Sequence, residues 1–194
     1  MSKSFLIACV LSWLTLCDAN ATSVRPLGLD EMTVASNTIF QGRCIENRSE
    51  REVNTKLIVT YTTFEVGETI KGKLGPIHVI KQIGGTLKNE NASFSVEGVP
   101  TFAVGEEYVV FLTGVSSAGF SSPLGLGQGR FSITTGTSGK RVGNGRDLRE
   151  MTATIPARQV PLSMQQEQEL SGRVTDADLA DFKGLVQQLA GSAR

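Results

Sequence analysis

Three observations predict an all-β (mainly β) fold class. Five apolar runs show strand composition, long Gly- and Ser-rich connections separate them, and only two short stretches carry helical spacing. The strongest run, Lys56 to Ile70, is longer than an average strand, so it must coil. The architecture expected is a small OB-like Greek-key barrel with a short N-terminal helix and a C-terminal amphipathic helix.

The chain opens on a leader. Met1–Ser4 is short and carries Lys3, and Phe5–Leu16 is a mostly apolar run of roughly 12 residues. Cys17-Asp-Ala19-Asn-Ala21 then supplies a small-x-small site, which completes the pattern of a secretory signal peptide. The run is shorter than the roughly 20 residues of a permanent membrane helix. Lipid attachment at Cys17 is disfavoured by the bulky Leu16 before it. Cleavage is expected after Ala21. Thr22 then becomes the first residue of a secreted or periplasmic product with no stable membrane anchor.

After an extended segment containing Pro26, Leu29–Ala35 reads as a short helix, with Asp30 and Glu31 near its positive end. Thr38–Ile45 is the first strand, and Gly42 inside it predicts a bulge or bend. Glu46–Asn54 reads as a polar connection. In Lys56–Ile70, Ile58, Thr60, Thr62, Phe64 and Val66 alternate with Leu57, Val59, Tyr61, Thr63 and Glu65. Lys71–Pro76 is a turn. Ile77–Ile83 comes next as a strand with His78, Ile80 and Gln82 on one face, and Gly84-Gly85 breaks it.

Residues 86–104 read as a long loop with weak strand character around Ala92–Val96. Glu107–Thr113 is a strong strand, and Gln128–Thr135 reads as the last clear one. Residues 137–172 are polar and read as mostly irregular. Within 173–194, Thr175 reads as an N-cap with Asp176 and Asp178 in the first turn. Leu179, Phe182, Leu185, Val186 and Leu189 then recur at helical spacing. The organisation expected is leader 1–21, barrel domain 22–136, irregular segment 137–172 and C-terminal helix 173–194.

Composition excludes several functions. The chain has 19 basic and 19 acidic residues, and the leader holds one of each (Lys3, Asp18). A neutral chain is a poor match for nucleic acid. Of three cysteines, Cys9 and Cys17 leave with the leader. Cys44 is then alone, so the product has no internal disulfide and depends on its core. A buried small hydrophobe in a strand is its expected role.

His78 is the single histidine. A zinc-protease helix signature needs two histidines, and a Ser-His-Asp triad needs an orienting acid. Cys44 with His78 is the one nucleophile–base pair that composition allows. Gly125-Leu-Gly-Gln-Gly129 lacks the Lys-Ser/Thr ending of a phosphate loop and precedes a strand, so turn chemistry is expected. Gly143–Asp147 reads as a loop. No acid set matches a calcium loop, and no cofactor is expected. Asn47-Arg-Ser49 and Asn91-Ala-Ser93 fit the glycosylation pattern, which matters only in a eukaryotic secretory route. Phe40, Phe64, Tyr108, Phe111 and Phe131 lie in strand patterns where a core role is expected.

Ala35-Ser-Asn-Thr-Ile-Phe-Gln-Gly-Arg-Cys44 resembles the opening strand of netrin-like modules, in particular the tissue inhibitors of metalloproteinases. Thr63-Phe-Glu-Val-Gly-Glu-Thr-Ile-Lys71-Gly72 resembles that family's second long strand with its Lys-Gly turn. The chain is also similar to uncharacterised exported bacterial proteins sharing that turn, the Gly-Gly break, a Val104–Leu112 strand and a Gly125–Phe131 strand. The resemblance spans roughly residues 22–135. It implies an OB-like fold, and an inhibitory ridge in which the Thr22 amine and carbonyl chelate a partner's zinc. Ser23 would enter the specificity pocket, with Val24 and Pro26 in the ridge. No metal of its own is implied. The family pins this terminus with disulfides, whereas positions 22, 24 and 35 here hold Thr, Val and Ala.

The function expected is therefore an exported, non-enzymatic binding protein with a protein partner. Its sharpest form is an inhibitor or regulator of a secreted zinc metalloprotease. An alternative is a carbohydrate- or envelope-polymer-binding module, which an exposed aromatic strip would favour. A third class is a Cys44/His78 enzyme, which requires the two side chains to meet.

Overall fold

The structure is a computed structural model that describes residues 25–53 and 55–192. The expected leader and Thr22–Val24 lie outside these residues. Helix α1 (Leu29–Ala35) forms where its sequence places it and buries Leu29, Met32 and Thr33. Its N-terminal end is closed by the Glu31 carboxylate, which accepts from the Gly28 N–H at 3.0 Å. Its C-terminal end is closed from a distance. The Lys71 ammonium donates to the Thr33 and Val34 carbonyls at 2.7 and 2.9 Å. The Lys-Gly turn thus locks helix to sheet, and partial burial lowers the Lys71 pKa.

Strands β1 (Thr38–Arg51), β2 (Ile58–Lys71) and β3 (Ile77–Ile83) form an antiparallel meander. Gly42 sits at a register shift, as expected. A Cβ there would meet the Glu65 carbonyl at 2.8 Å and the Phe40 ring at 3.0 Å. A small hairpin comes next, β4 (Gly85–Leu87) with β5 (Ala92–Phe94). Strand β6 (Glu107–Leu112) returns to the other side of β1, and then come β7 (Arg130–Gly136), β8 (Gly139–Gly143) and β9 (Asp176–Asp178). The full order is β3-β2-β1-β6-β7-β8-β9. Helices α2 (Leu148–Thr152), α3 (Leu162–Leu170) and α4 (Leu179–Ser192) complete the chain. The protein is mainly β, with one large antiparallel sheet.

Several expectations are corrected. Glu46–Arg51 is not a connection but the second half of β1. Its side chains are polar, yet its backbone pairs with β2, and Ser49–Thr60 and Arg48–Tyr61 contacts bind the rungs. Gln128–Thr135 does not hold the last strand, and 137–172 is not mostly irregular. Strand β8 has one buried apolar residue, Val142, too few for periodicity to register. It is held by pairing and by Arg141, which bridges Glu167 of α3 and Asp176 of β9 at 2.7 Å each. Thr175 does not cap the last helix, because Asp176–Asp178 forms β9. Asp178 caps α4 instead, accepting from the Ala180 and Asp181 N–H groups. Within 86–104 the weak strand signal is a true hairpin, with Leu87 buried.

The two faces of the sheet carry two cores, as a period of two requires. One holds Phe40, Cys44, Phe64, Ile80, Phe102, Tyr108, Val110 and Leu112. The other is covered by helices, with Phe182 of α4 lying 4.9 Å from Phe131 and 6.4 Å from Phe111, centroid to centroid. Among the described residues, β3 and β7 do not pair, so the sheet stays open. The gap is spanned by Ser121–Pro123. Pro123 bridges to Leu112 of β6, and the Ser121 N–H donates to the Lys81 carbonyl of β3 at 3.1 Å.

Candidate functional site

Residues 25–27, just ahead of α1, are held rather than loose. Gln128, on the 3₁₀ turn Leu126–Gly129, offers its amide like the edge of a strand. Its Oε1 accepts from the Leu27 N–H at 2.9 Å, and its Nε2 donates to the Arg25 carbonyl at 3.1 Å. Between these two residues stands Pro26, exposed and without an N–H to satisfy. The Arg146 guanidinium closes the clamp, donating to the Leu27 carbonyl and to Gln128 Oε1 at 2.8 Å each. Asn144 sets the turn by donating from Nδ2 to the Gln128 carbonyl at 2.8 Å.

The turn's backbone explains its glycines. Gly125 is left-handed (φ 60°), and a Cβ there would lie 3.0 Å from the Leu27 side chain. Buried Gly129 would clash with Leu124 and Phe111 backbone atoms below 3 Å. Leu27 itself packs against the helix-covered core. Partial burial pushes the Arg146 pKa down, yet a guanidinium stays charged at neutral pH. At the outer edge, Arg25 pairs with Glu31 at 3.1 Å. The Gly28 N–H, and then Arg25, hold the Glu31 carboxyl below its usual range.

Of the residues expected in a ridge, Pro26 lies on this clamped segment, while Thr22, Ser23 and Val24 lie outside the described residues. Gln128 and Arg146 were missed by sequence reasoning, which saw only turn-forming glycines around both. The available signal was a long amide side chain between two glycines, Gly127 and Gly129.

Cys44 and His78 do not meet. Cys44 pairs with Phe64 on one side and His78 pairs with Phe64 on the other, so all three share a row. Two strand spacings separate the outer pair, about 10 Å, with Phe64 between them. Cys44 is fully buried, which raises its thiol pKa and suppresses the thiolate a nucleophile needs. His78 edges the Phe40 ring at 5.6 Å, and burial lowers its pKa. This geometry supplies no Cys–His pair.

Phe40, Phe64, Phe111 and Phe131 are wholly buried and Tyr108 nearly so, as expected of core residues. Among the described residues Phe94 is the exposed large aromatic, at 40%, so no aromatic strip lines the sheet. No group of three or more metal-ligating side chains gathers among the described residues. Neither a family model nor a curated protein matches this chain.

Proposed function

We propose that the protein is an exported, non-enzymatic binding protein that presents its N-terminal edge to a protein partner, a secreted zinc metalloprotease in the sharpest form. The observation that carries this reading is the clamp of Gln128 and Arg146 on Arg25–Leu27. A terminus that docks into a cleft loses ordering entropy on binding, and holding its base in advance reduces that loss. Where a disulfide is absent, hydrogen bonds from a turn and a loop do this work. A free amine and its neighbouring carbonyl can together fill the open position of a catalytic zinc. Thr22 would supply both, with Ser23, Val24 and Pro26 in the contact ridge.

The scaffold belongs to the same proposal. In the order β6-β1-β2-β3, three consecutive strands are joined by a fourth that returns beside the first, which is Greek-key connectivity. With β7 next to β6 and Ser121–Pro123 reaching β3, the sheet supports an OB-like barrel left partly open.

The test is titration of the exported protein, its first residue fixed by mass spectrometry, against a panel of secreted zinc metalloproteases. Inhibition is expected from the form beginning at Thr22. One extra alanine ahead of Thr22 should abolish it, and Gln128→Ala should weaken it about tenfold through loss of pre-organisation. A correctly cut protein that inhibits none of the panel defeats the proposal.

A further inference from the structure

The face of the sheet away from the helices ends in a cavity of about 360 Å³, roofed by the β4–β5 hairpin and residues 95–102. That volume lies near the lower end for small-molecule sites. Its lining has an unusual chemistry, with side-chain hydroxyls and amides on three adjacent strands and no charged group. Most of these polar groups satisfy one another. Thr62 donates to Asn47 Oδ1 at 2.7 Å, and Asn47 Nδ2 donates to the Phe102 carbonyl at 2.6 Å. Thr60 donates to the Gly84 carbonyl at 2.7 Å and meets Ser49 at 2.9 Å.

Gln82 is the exception. The residue is only 4% exposed, and its Nε2 donates to the Pro100 carbonyl at 3.3 Å. Its Oε1 has no hydrogen-bond partner among the described residues. No buried side-chain oxygen among the described residues lacks a partner, so the Gln82 Oε1 is open to solvent at the cavity that this residue lines, with no protein donor to it. The backbone packs closely on the hydroxyl pair of Ser49 and Thr60 in the lining. Gly85 is left-handed (φ 143°), and a Cβ there would come within 2.4 Å of Thr60 Oγ1 and 2.6 Å of Ser49 Oγ. Phe94 stands half-exposed on the wall, and Phe102 lies beneath, stacked edge-on against Phe64 at 4.9 Å.

We infer that this cavity binds a neutral saccharide unit of one or two rings. Hydroxyls that both donate and accept match a sugar's own hydroxyls. The free Gln82 Oε1 takes a donor that the protein does not provide. The phenyl face of Phe94 suits the apolar C–H face of a pyranose. A lining without cations has nothing to offset the cost of desolvating a phosphate or carboxylate. This site is separate from the N-terminal edge and does not depend on it.

The experiment is calorimetric titration of the full exported protein with glucose, N-acetylglucosamine, maltose and chitobiose, with glucuronate and inorganic phosphate as charged probes. At least one neutral sugar should bind, and the charged probes should not. Gln82→Met keeps the volume and removes the acceptor, so affinity for that sugar should fall about tenfold. Ser95→Trp, on the exposed rim, should block binding while leaving the unfolding midpoint unchanged. An insoluble polymer of the same sugar, in pull-down, separates a polymer end from a free sugar as the source. Absence of binding by all four neutral sugars overturns the inference. So does a folded Gln82→Met protein with unchanged affinity, or equal binding of glucuronate.

Discussion

At the scale of single residues, strand register separates the one nucleophile–base pair that composition allows. Cys44, Phe64 and His78 occupy one register line, and the ring in the middle separates the outer two. The His78 side chain makes no hydrogen bond or ion pair among the described residues, and burial lowers its pKa from 6.5. The folded state therefore favours neutral His78, and the unfolded state binds more protons below that value. The contribution of His78 is fully present above about pH 6.5 and is lost as pH falls through its lower folded pKa. Glu107 behaves differently. Lys140, and then Arg43, lower its pKa, so its contribution persists below pH 6.5 and is lost only below the ordinary 4.5. His78→Phe should flatten the fall in stability between about pH 7 and pH 5, leaving the steeper acid limb in place. Denaturant midpoints across that range decide it, and parallel curves for the two proteins would show that burial of His78 is not the cause.

At the scale of elements, legibility followed apolar periodicity. Helix α1, the core of β1, and β2, β3, β6 and β7 each carry enough alternating or helical apolar positions to be recognised from residues alone. Strand β8 and the second half of β1 do not, because their stability comes from cross-strand partners such as Arg141 and Tyr61, whose positions a sequence does not display. The start of α4 was misplaced for a related reason. Asp176 and Asp178 suit a first helical turn equally well, and only the pairing of β9 with β8 decides between the two. The candidate site was less legible still. Gln128 and Arg146 act on residues about a hundred positions earlier, and nothing local marks them. The apolar face of α4 was fully legible, and it makes a quantitative expectation. Phe182 is wholly buried between Phe111 and Phe131. Phe182→Ala should cost about 3–5 kcal/mol, as large aromatic deletions in packed cores do. Chemical denaturation measures this directly. A loss under about 1 kcal/mol would mean that the helix is not seated on the sheet in solution.

At the scale of the whole molecule, the strands up to β7 depend on the C-terminal third of the chain. Composition suggests a boundary near residue 136, where strong strands give way to polar sequence. The packing argues otherwise. The helix-covered core draws Val142, Leu148, Met151, Ala177, Leu179, Phe182, Leu185 and Val186 from beyond that point, against Ile39, Val109, Phe111 and Phe131 from before it. Removing the later residues would expose one whole face of the central strands β1, β6 and β7, and leave β7 as an unprotected edge. It would also take away Lys183, which donates to Gln41 and Glu68 at 2.9 and 2.6 Å, and so release the tie between α4 and this paired rung of β1 and β2. A chain ending at Gly136 should therefore show no cooperative thermal transition, bind a hydrophobic dye and self-associate, while the full chain unfolds in one step. Such a fragment still contains Phe40, Phe64, Phe102 and Tyr108, which are in edge-on contact on the opposite face of the full chain. That makes the experiment discriminating. A cooperative transition in the fragment, near that of the full chain, would show that this one face suffices. Its absence would show that the polar C-terminal third is as much a part of the fold as the strands.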